Sequence, residues 1–406
     1  MWVQINAQFK VITPLFMAGA DDAPELRAPA FKALLRWWFR AIKPYCAKEE
    51  AKLFGAAGGQ HGRGAFALRV DGPTPCTRDW STAAFSPSGR NGRIDGPKHL
   101  GLKYLSYPFD LSGGRKRQFI QPEHTFELQL FFVKQPSADM LRRVLACVWL
   151  LGHVGAAGSR ARRGFGALQL MQWRIDPQTP QAGVNAATLA PILQALPLLA
   201  QNNEGAAWLR QLRQTVAQIQ RWFGAPDDKV LRAGGPPKHP YLGEATTLAL
   251  LSKSFEHQQW HHCLAELGSA MHSFRQCYEP DRSHARSALR HGGHMQHTPE
   301  RATFGLPLTF RFYRQREAIE IVPFVDGAKP GQRHGSLLLL RPIVAGERLL
   351  PLLLRMDGSV PGIDQPVATR RHQKPLPPLE HHGPCSSQGG TLDVFMQHHG
   401  ASKLFI

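Results

Sequence analysis

The sequence predicts an α+β protein in which an N-terminal split βαβ domain is joined through a helical segment to a second β-containing domain. Three observations predict it. Residues 1–175 read as strand, helix, strand, strand, helix, strand, the order of a ferredoxin-like unit. Two apolar series at 3-4 spacing follow, and strand signals return after residue 301.

The first strand is "WVQINAQFKVIT", which alternates apolar and polar residues until Pro14 ends it. A loop with "AGADDAPELRAP" leads to Pro29, which suits the first turn of a helix running to Lys43, and Pro44 closes that helix. "GAFALRV" (64–70) and "FIQPEHTFELQLFFVK" supply two more strands, leaving residues 71–117 as a long inserted loop, a length usually tied to function or mobility. "SADMLRRVLACVWLL" is an amphipathic helix with Ser137 as N-cap, and "FGALQLMQWRI" is the fourth strand.

Residues 176–300 form the helical segment. Leu209, Leu212, Val216, Ile219 and Phe223 lie on one helical face, and Trp260, Leu264, Leu267, Met271 and Phe274 on another. Residues 301–406 make the second β-containing domain, with strands at 303–313, 317–323, 336–344 and 348–356. Its tail "TRRHQKPLPPLEHHGPCSSQGG" reads as loop, and "TLDVFMQ" as a short ordered end.

Forty-nine Lys and Arg against 30 Asp and Glu give a formal net charge of +19, which favours a polyanionic partner. No acidic residue occurs from Leu26 to Lys48 or from Met140 to Ile175, so the charge is clustered as a phosphate-binding face requires. The six cysteines show no CxxC pair, the N-terminus lacks the pattern of a secretory signal, and Arg341, Glu347 and Arg348 interrupt the most apolar stretch. A soluble cytoplasmic protein without disulfides, membrane span or cofactor is expected.

Two constellations point to RNA. In "RAPAFKALLRWWFRAIK", Lys32, Arg36, Arg40 and Lys43 share one helical stripe, with Phe31, Leu34, Leu35, Trp38 and Ile42 opposite. Like charges at this spacing repel, and no carboxylate in the helix relieves them, so a negative partner is expected; the alternative is a solvated face. In "GHVGAAGSRARRGFG" (152–166), five glycines permit close backbone approach while Arg160, Arg162 and Arg163 supply charge; the alternative is a flexible turn. GxxxxGK[ST] is absent, and the helix precedes the glycines, which excludes a nucleotide-hydrolase phosphate loop and the dinucleotide fingerprint.

With "ITPLFMAGAD", "ELRAPAFKALLRWWFRAI" and "GSRARRGFG", the sequence resembles the RAMP superfamily of CRISPR systems. The first two motifs, with "FGLPLTFRF" and "GSLLLLRP" later, resemble the first-numbered Cmr subunits of type III-B effectors. The resemblance covers 1–175 and 301 to about 345, and no motif is matched in 176–300 or the tail. It implies two ferredoxin-like (RRM-like) domains and a non-catalytic capping subunit that contacts the guide RNA's 3′ region, the target RNA and other Cmr subunits. It nominates Arg27, Lys32, Arg36 and Arg40 from the helix and Ser159, Arg160, Arg162 and Arg163 from the loop as RNA contacts, to which the basic stripe adds Lys43. The inserted loop would be a thumb-like element, with Arg90, Arg93, Lys98, Lys103, Arg115, Lys116 and Arg117 beside Tyr104, Tyr107 and Phe109. Those aromatics suit a hairpin core equally well.

The alternatives are a CRISPR-transcript-processing endoribonuclease and a general single-stranded RNA-binding protein. The nuclease needs a general base, and nineteen histidines do not single one out; its glycine-rich loop would also lie near the C-terminus. Asp79, Asp95 and Asp110 carry no catalytic spacing, and His291, His294 and His297 lack the companions of a zinc site.

Overall fold

The computed structural model describes residues 3–56, 62–85, 97–110, 117–132, 134–176, 186–224, 237, 239–277, 279, 281–291, 295, 297–312, 317–324, 333–361, 367–371, 374–378 and 390–405. The N-terminal sheet contains β1 (Val3–Val11), β2 (Phe66–Asp71), β5 (Thr125–Phe132) and β6 (Leu168–Ile175), in the order β2-β5-β1-β6. All neighbours are antiparallel, so β1 and β2 run parallel with β5 between them, the split βαβ arrangement. Val3, Ile5, Ala7, Phe9 and Val11 all point inward from β1, as its period-two pattern requires.

The crossover helices α1 (Ala28–Ile42) and α4 (Ala138–His153) pack together on this sheet. α1 begins with Pro29 in its first turn and buries Phe31, Leu35, Trp38, Phe39 and Ile42, while Leu34 stays half-buried. Each such burial removes enough apolar surface to contribute about 1.5–3 kcal/mol. The Ser137 hydroxyl accepts from Met140 N at 3.2 Å and caps α4. Both α4 and α1 also meet α6 (Gly205–Phe223), which buries Trp208, Leu212, Val216, Ile219 and Phe223; α5 (Ala186–Gln194) packs on α4 as well.

A second sheet follows the same order of elements. Strand β7 (Thr247–Leu250) precedes helix α7 (Trp260–Cys277), then come β11 (Leu338–Ala345), β12 (Arg348–Arg355), helix α9 (Thr391–His398) and β15 (Ser402–Lys403). The strands lie in the order β11-β12-β7-β15, with the short β8 (Phe255–Glu256) also on β12. This sheet corrects the expected boundary at 300. Residues 247–277 belong with the second sheet, because β12 needs β7 to pair its other edge and α7 covers β11 and β12.

A third sheet, β14-β13-β10-β9, is inserted around the second: β9 (Leu308–Phe312), β10 (Glu317–Pro323), β13 (Val367–Arg371) and β14 (Lys374–Pro378). Helix α8 (Asp281–Arg290) packs on β9 and β10 and closes a separate core of Ala285, Leu289, Phe310, Ile319 and Val367. The expected strands at 303–313 and 317–323 are therefore in a different sheet from those at 336–344 and 348–356. Within the expected loop-rich tail, residues 369–371 and 374–378 instead belong to two paired strands.

The inserted loop is docked onto the fold. Strands β3 (Thr77–Asp79) and β4 (Gln118–Ile120) pair, and helix α3 (Pro97–Asp110) lies along α7. The helices touch backbone to backbone: a Cβ on Gly268 would sit 2.1 Å from Gly101 O, and one on Gly101 would sit 2.0 Å from Ala265 O. Only glycine allows that approach. No helix among the described residues is long and apolar enough to cross a membrane.

Candidate nucleic-acid interface

The two N-terminal motifs meet in one structure. Where β1 ends, residues 12–16 run along the glycine-rich loop: the Thr13 hydroxyl donates to Gly164 O at 2.7 Å and accepts from Ala167 N at 2.9 Å. Gly166 N donates to Pro14 O (2.9 Å) and Ser159 N to Phe16 O (2.8 Å). Gly166 has φ +64°, and a Cβ there would lie 1.9 Å from Ala157 O. That glycine serves a close backbone turn, which corrects the expectation that it opens the backbone to an anion.

The three loop arginines take different roles. Arg163 turns inward, donating to Phe304 O at 3.1 Å and to the Met271 sulfur at 3.4 Å, and burial lowers its pKa to about 10. Arg162 donates to Ser336 O at 2.9 Å and lies over Trp37, 5.6 Å from the ring centre. Its own carbonyl accepts from Leu340 N at 3.1 Å. These two arginines fasten the N-terminal half to the C-terminal half, so Arg163 leaves the set of candidate RNA contacts.

Arg160 is half-buried, with its guanidinium 5.8 Å from the ring centre of Tyr107; burial lowers its pKa, while Tyr107 itself is 52% exposed. Beside it, Arg117 donates to the Ser159 hydroxyl at 3.2 Å and lies 5.4 Å from Phe109 and 6.0 Å from Phe16. Phe16, Trp80, Phe109, Phe119 and Phe165 form an aromatic core beneath. Arg115 and Lys116 lie outside the described residues, as do Arg90 and Arg93.

The stripe on α1 is balanced from within. Helix α2 (Ala47–Phe54) presents Glu49 and Glu50 to it. Glu50 accepts two hydrogen bonds from Arg40 at 2.6 and 2.7 Å and lies 2.9 Å from Arg36 Nε, while Arg36 also donates to Gly55 O. Lys43 pairs with Glu49 at 2.8 Å, and Arg143 of α4 binds the same carboxylate. Burial works against the Glu49 charge, but hydrogen bonds from Lys43 and Arg143 hold its pKa below the usual range. Lys32 donates to Phe66 O at 3.3 Å, and burial followed by the charges of Arg36 and Arg63 lowers its pKa. The expectation that an external anion must relieve this stripe is thus corrected: Glu49 and Glu50 relieve it. Arg27 stays exposed, 3.9 Å from Glu25.

The RAMP superfamily model matches residues 8–169. That span contains the helix, the glycine-rich loop and the turn that joins them. Two Cmr subunits of Pyrococcus furiosus are similar in sequence to this chain. Subunit Cmr1-2 is 29% identical over 189 residues, covering 41% of this chain and 94% of the relative. Subunit Cmr1-1 is 28% identical over 172 residues, covering 39% and 45%. In fold the whole chain is similar to the crystal structure of apo Cmr1 from P. furiosus, with a TM-score of 0.52, 15% identity and coverage of 99% and 98%. It is also similar to a chain in the cryo-EM structure of the type III-B Cmr-beta bound to cognate target RNA, with a TM-score of 0.52, 12% identity and coverage of 88% and 95%.

Within the matched span, Glu49 and Glu50 are not marked by the helix motif because they lie beyond Pro44, on the next helix. The available signal was "AKEEAKLF", a short amphipathic run with paired glutamates beside a helix holding unpaired cations. Asp79 and Asp110 take part in local hydrogen bonds, Asp110 accepting from Thr82 at 2.7 Å and Asp79 from Gln118 at 3.2 Å; Asp95 is outside the described residues. Among the described residues no group of three His, Cys, Asp or Glu side chains is placed to hold a metal; His294 falls outside them.

Proposed function

We propose that this chain is an RNA-binding subunit of a type III-B Cmr effector, that it contacts guide and target RNA by phosphate and stacking interactions, and that it binds without cutting. The carrying observation is the surface corner where Arg117, Ser159 and Arg160 from the RAMP motif loop and the docked insert stand beside exposed Tyr107. Guanidinium groups held over rings suit a flexible strand, since they meet phosphates and bases without reading sequence. The Cmr names of the sequence relatives and the fold shared with a Cmr-beta chain support membership of such a complex. The capping position, the cytoplasmic location and the contacts with other Cmr subunits belong to this same reading.

Purification of the native chain from its host tests it: repeat-derived RNA together with other Cmr subunits is expected, and heterogeneous RNA with no protein partner would favour a general single-strand binder. In vitro, an Arg117→Ala/Arg160→Ala variant should flatten the salt dependence of single-stranded RNA binding by about 1.4, at roughly 0.7 per phosphate contact. Bound RNA should be recovered intact, and a discrete product would overturn the non-catalytic assignment.

A further inference from the structure

On the α1 stripe, Arg36, Arg40 and Lys43 pair with Glu49 and Glu50; the cations of α8 have no such partners among the described residues. Helix α8 turns Ala285, Ala288 and Leu289 into the core of the third sheet and leaves Arg282, Arg286 and Arg290 exposed on the other side. Steps of four residues keep the three on one stripe, about 6 Å apart along the axis. Among the described residues none of the three has a salt bridge.

The described carboxylates of this module have other hydrogen-bond partners. Asp281 is buried, accepting from Glu300 N at 2.8 Å and Arg301 N at 2.9 Å and facing Arg301. Glu300 accepts from the Thr391 hydroxyl at 2.8 Å, Glu279 from Ser283 at 3.0 Å, and Glu320 pairs with Arg370. Arg286 rests over the Phe312 ring at 5.6 Å, which fixes its direction without cancelling its charge.

Such a stripe works against its own helix. Like charges at i and i+4 repel, and Arg282 sits in the first turn, where the helix dipole disfavours a cation; only Arg290, in the last turn, is favoured by it. A merely solvated face has no need of three arginines in register. Arginine in particular suits planar, two-point contact with phosphate.

We infer that α8 is a second phosphate-binding site, on a module with its own core, which holds a single-stranded nucleic-acid backbone independently of sequence. The inference rests on the RNA-binding reading above and adds a contact point away from the Arg117–Arg160 corner. A strand long enough to reach both sites binds more tightly than either site alone can hold it.

The test is a salt titration of the full-length chain binding a long, mixed-sequence single-stranded RNA, comparing wild type, R282A/R286A/R290A, the corresponding triple Lys variant and R117A/R160A. The triple Ala variant should flatten the slope of log affinity against log salt by about 2, and the triple Lys variant should keep the wild-type slope. An unchanged slope in the triple Ala variant, with a shallower one in R117A/R160A, overturns the α8 site and leaves the first reading standing. Unchanged slopes in both, or no binding by the wild type, overturn both. Loss of a co-purifying acidic protein without change in slope assigns α8 to a protein contact and overturns the inference.

Discussion

Arg40 grips Glu50 through two hydrogen bonds, Nε to Oε2 at 2.6 Å and Nη2 to Oε1 at 2.7 Å, so a carboxylate of the same chain occupies the position a phosphate would take on the basic stripe of α1. The Arg40 side chain is 47% exposed and Glu50 only 10%, so the pair sits at the edge of solvent with its anion inside.

Glu50→Gln should therefore have two effects of opposite sign. Stability should fall by about 1–2 kcal/mol, less than for a fully buried pair because the arginines are half-exposed. Affinity for single-stranded RNA at low salt should rise, since Arg36 and Arg40 are released. Urea denaturation and filter binding on the same variant check both.

Arg163→Ala should behave as a stability variant. It removes the donor to Phe304 O and opens a gap between the halves, with an expected loss of about 2–3 kcal/mol. The salt slope of RNA binding should stay at the wild-type value, in contrast to Arg160→Ala. A shallower slope for Arg163→Ala would show that its guanidinium reaches RNA.

Gly268→Ala tests the docking of α3 on α7. The added methyl would meet Gly101 O at 2.1 Å, so the helices must separate or shift. Amide hydrogen exchange should accelerate across residues 97–110, while β1 and β5 keep wild-type protection.

His153 gives the fold an acid sensitivity. Burial first, then the facing charge of Arg341, lowers its pKa to about 3, below the ordinary 6.5, so the folded state binds fewer protons than the unfolded chain between these values. Stability is full above about pH 6.5 and declines as pH falls toward 3, by on the order of 1 kcal/mol at pH 5.5 from this group. His153→Gln should flatten the stability profile between pH 5 and 7. A variant profile as steep as wild type would assign the sensitivity elsewhere, with His239, lowered to about 4, the next group to change.

What the sequence determined by itself was local. Period-two burial in β1, the Ser137 cap, the apolar faces of α1, α4 and α6, and the RAMP motifs are written within short windows, so the N-terminal topology and the family were legible there. The tertiary structure decided which charges are free. Glu50 neutralises Arg40 from ten residues away, Phe304 receives Arg163 across 141, and Leu250 of β7 pairs with Leu352 of β12, on a strand that comes after four intervening strands in the chain. Such pairings depend on which surfaces are brought together when the separate elements pack, and a periodicity read along a few turns carries no record of that.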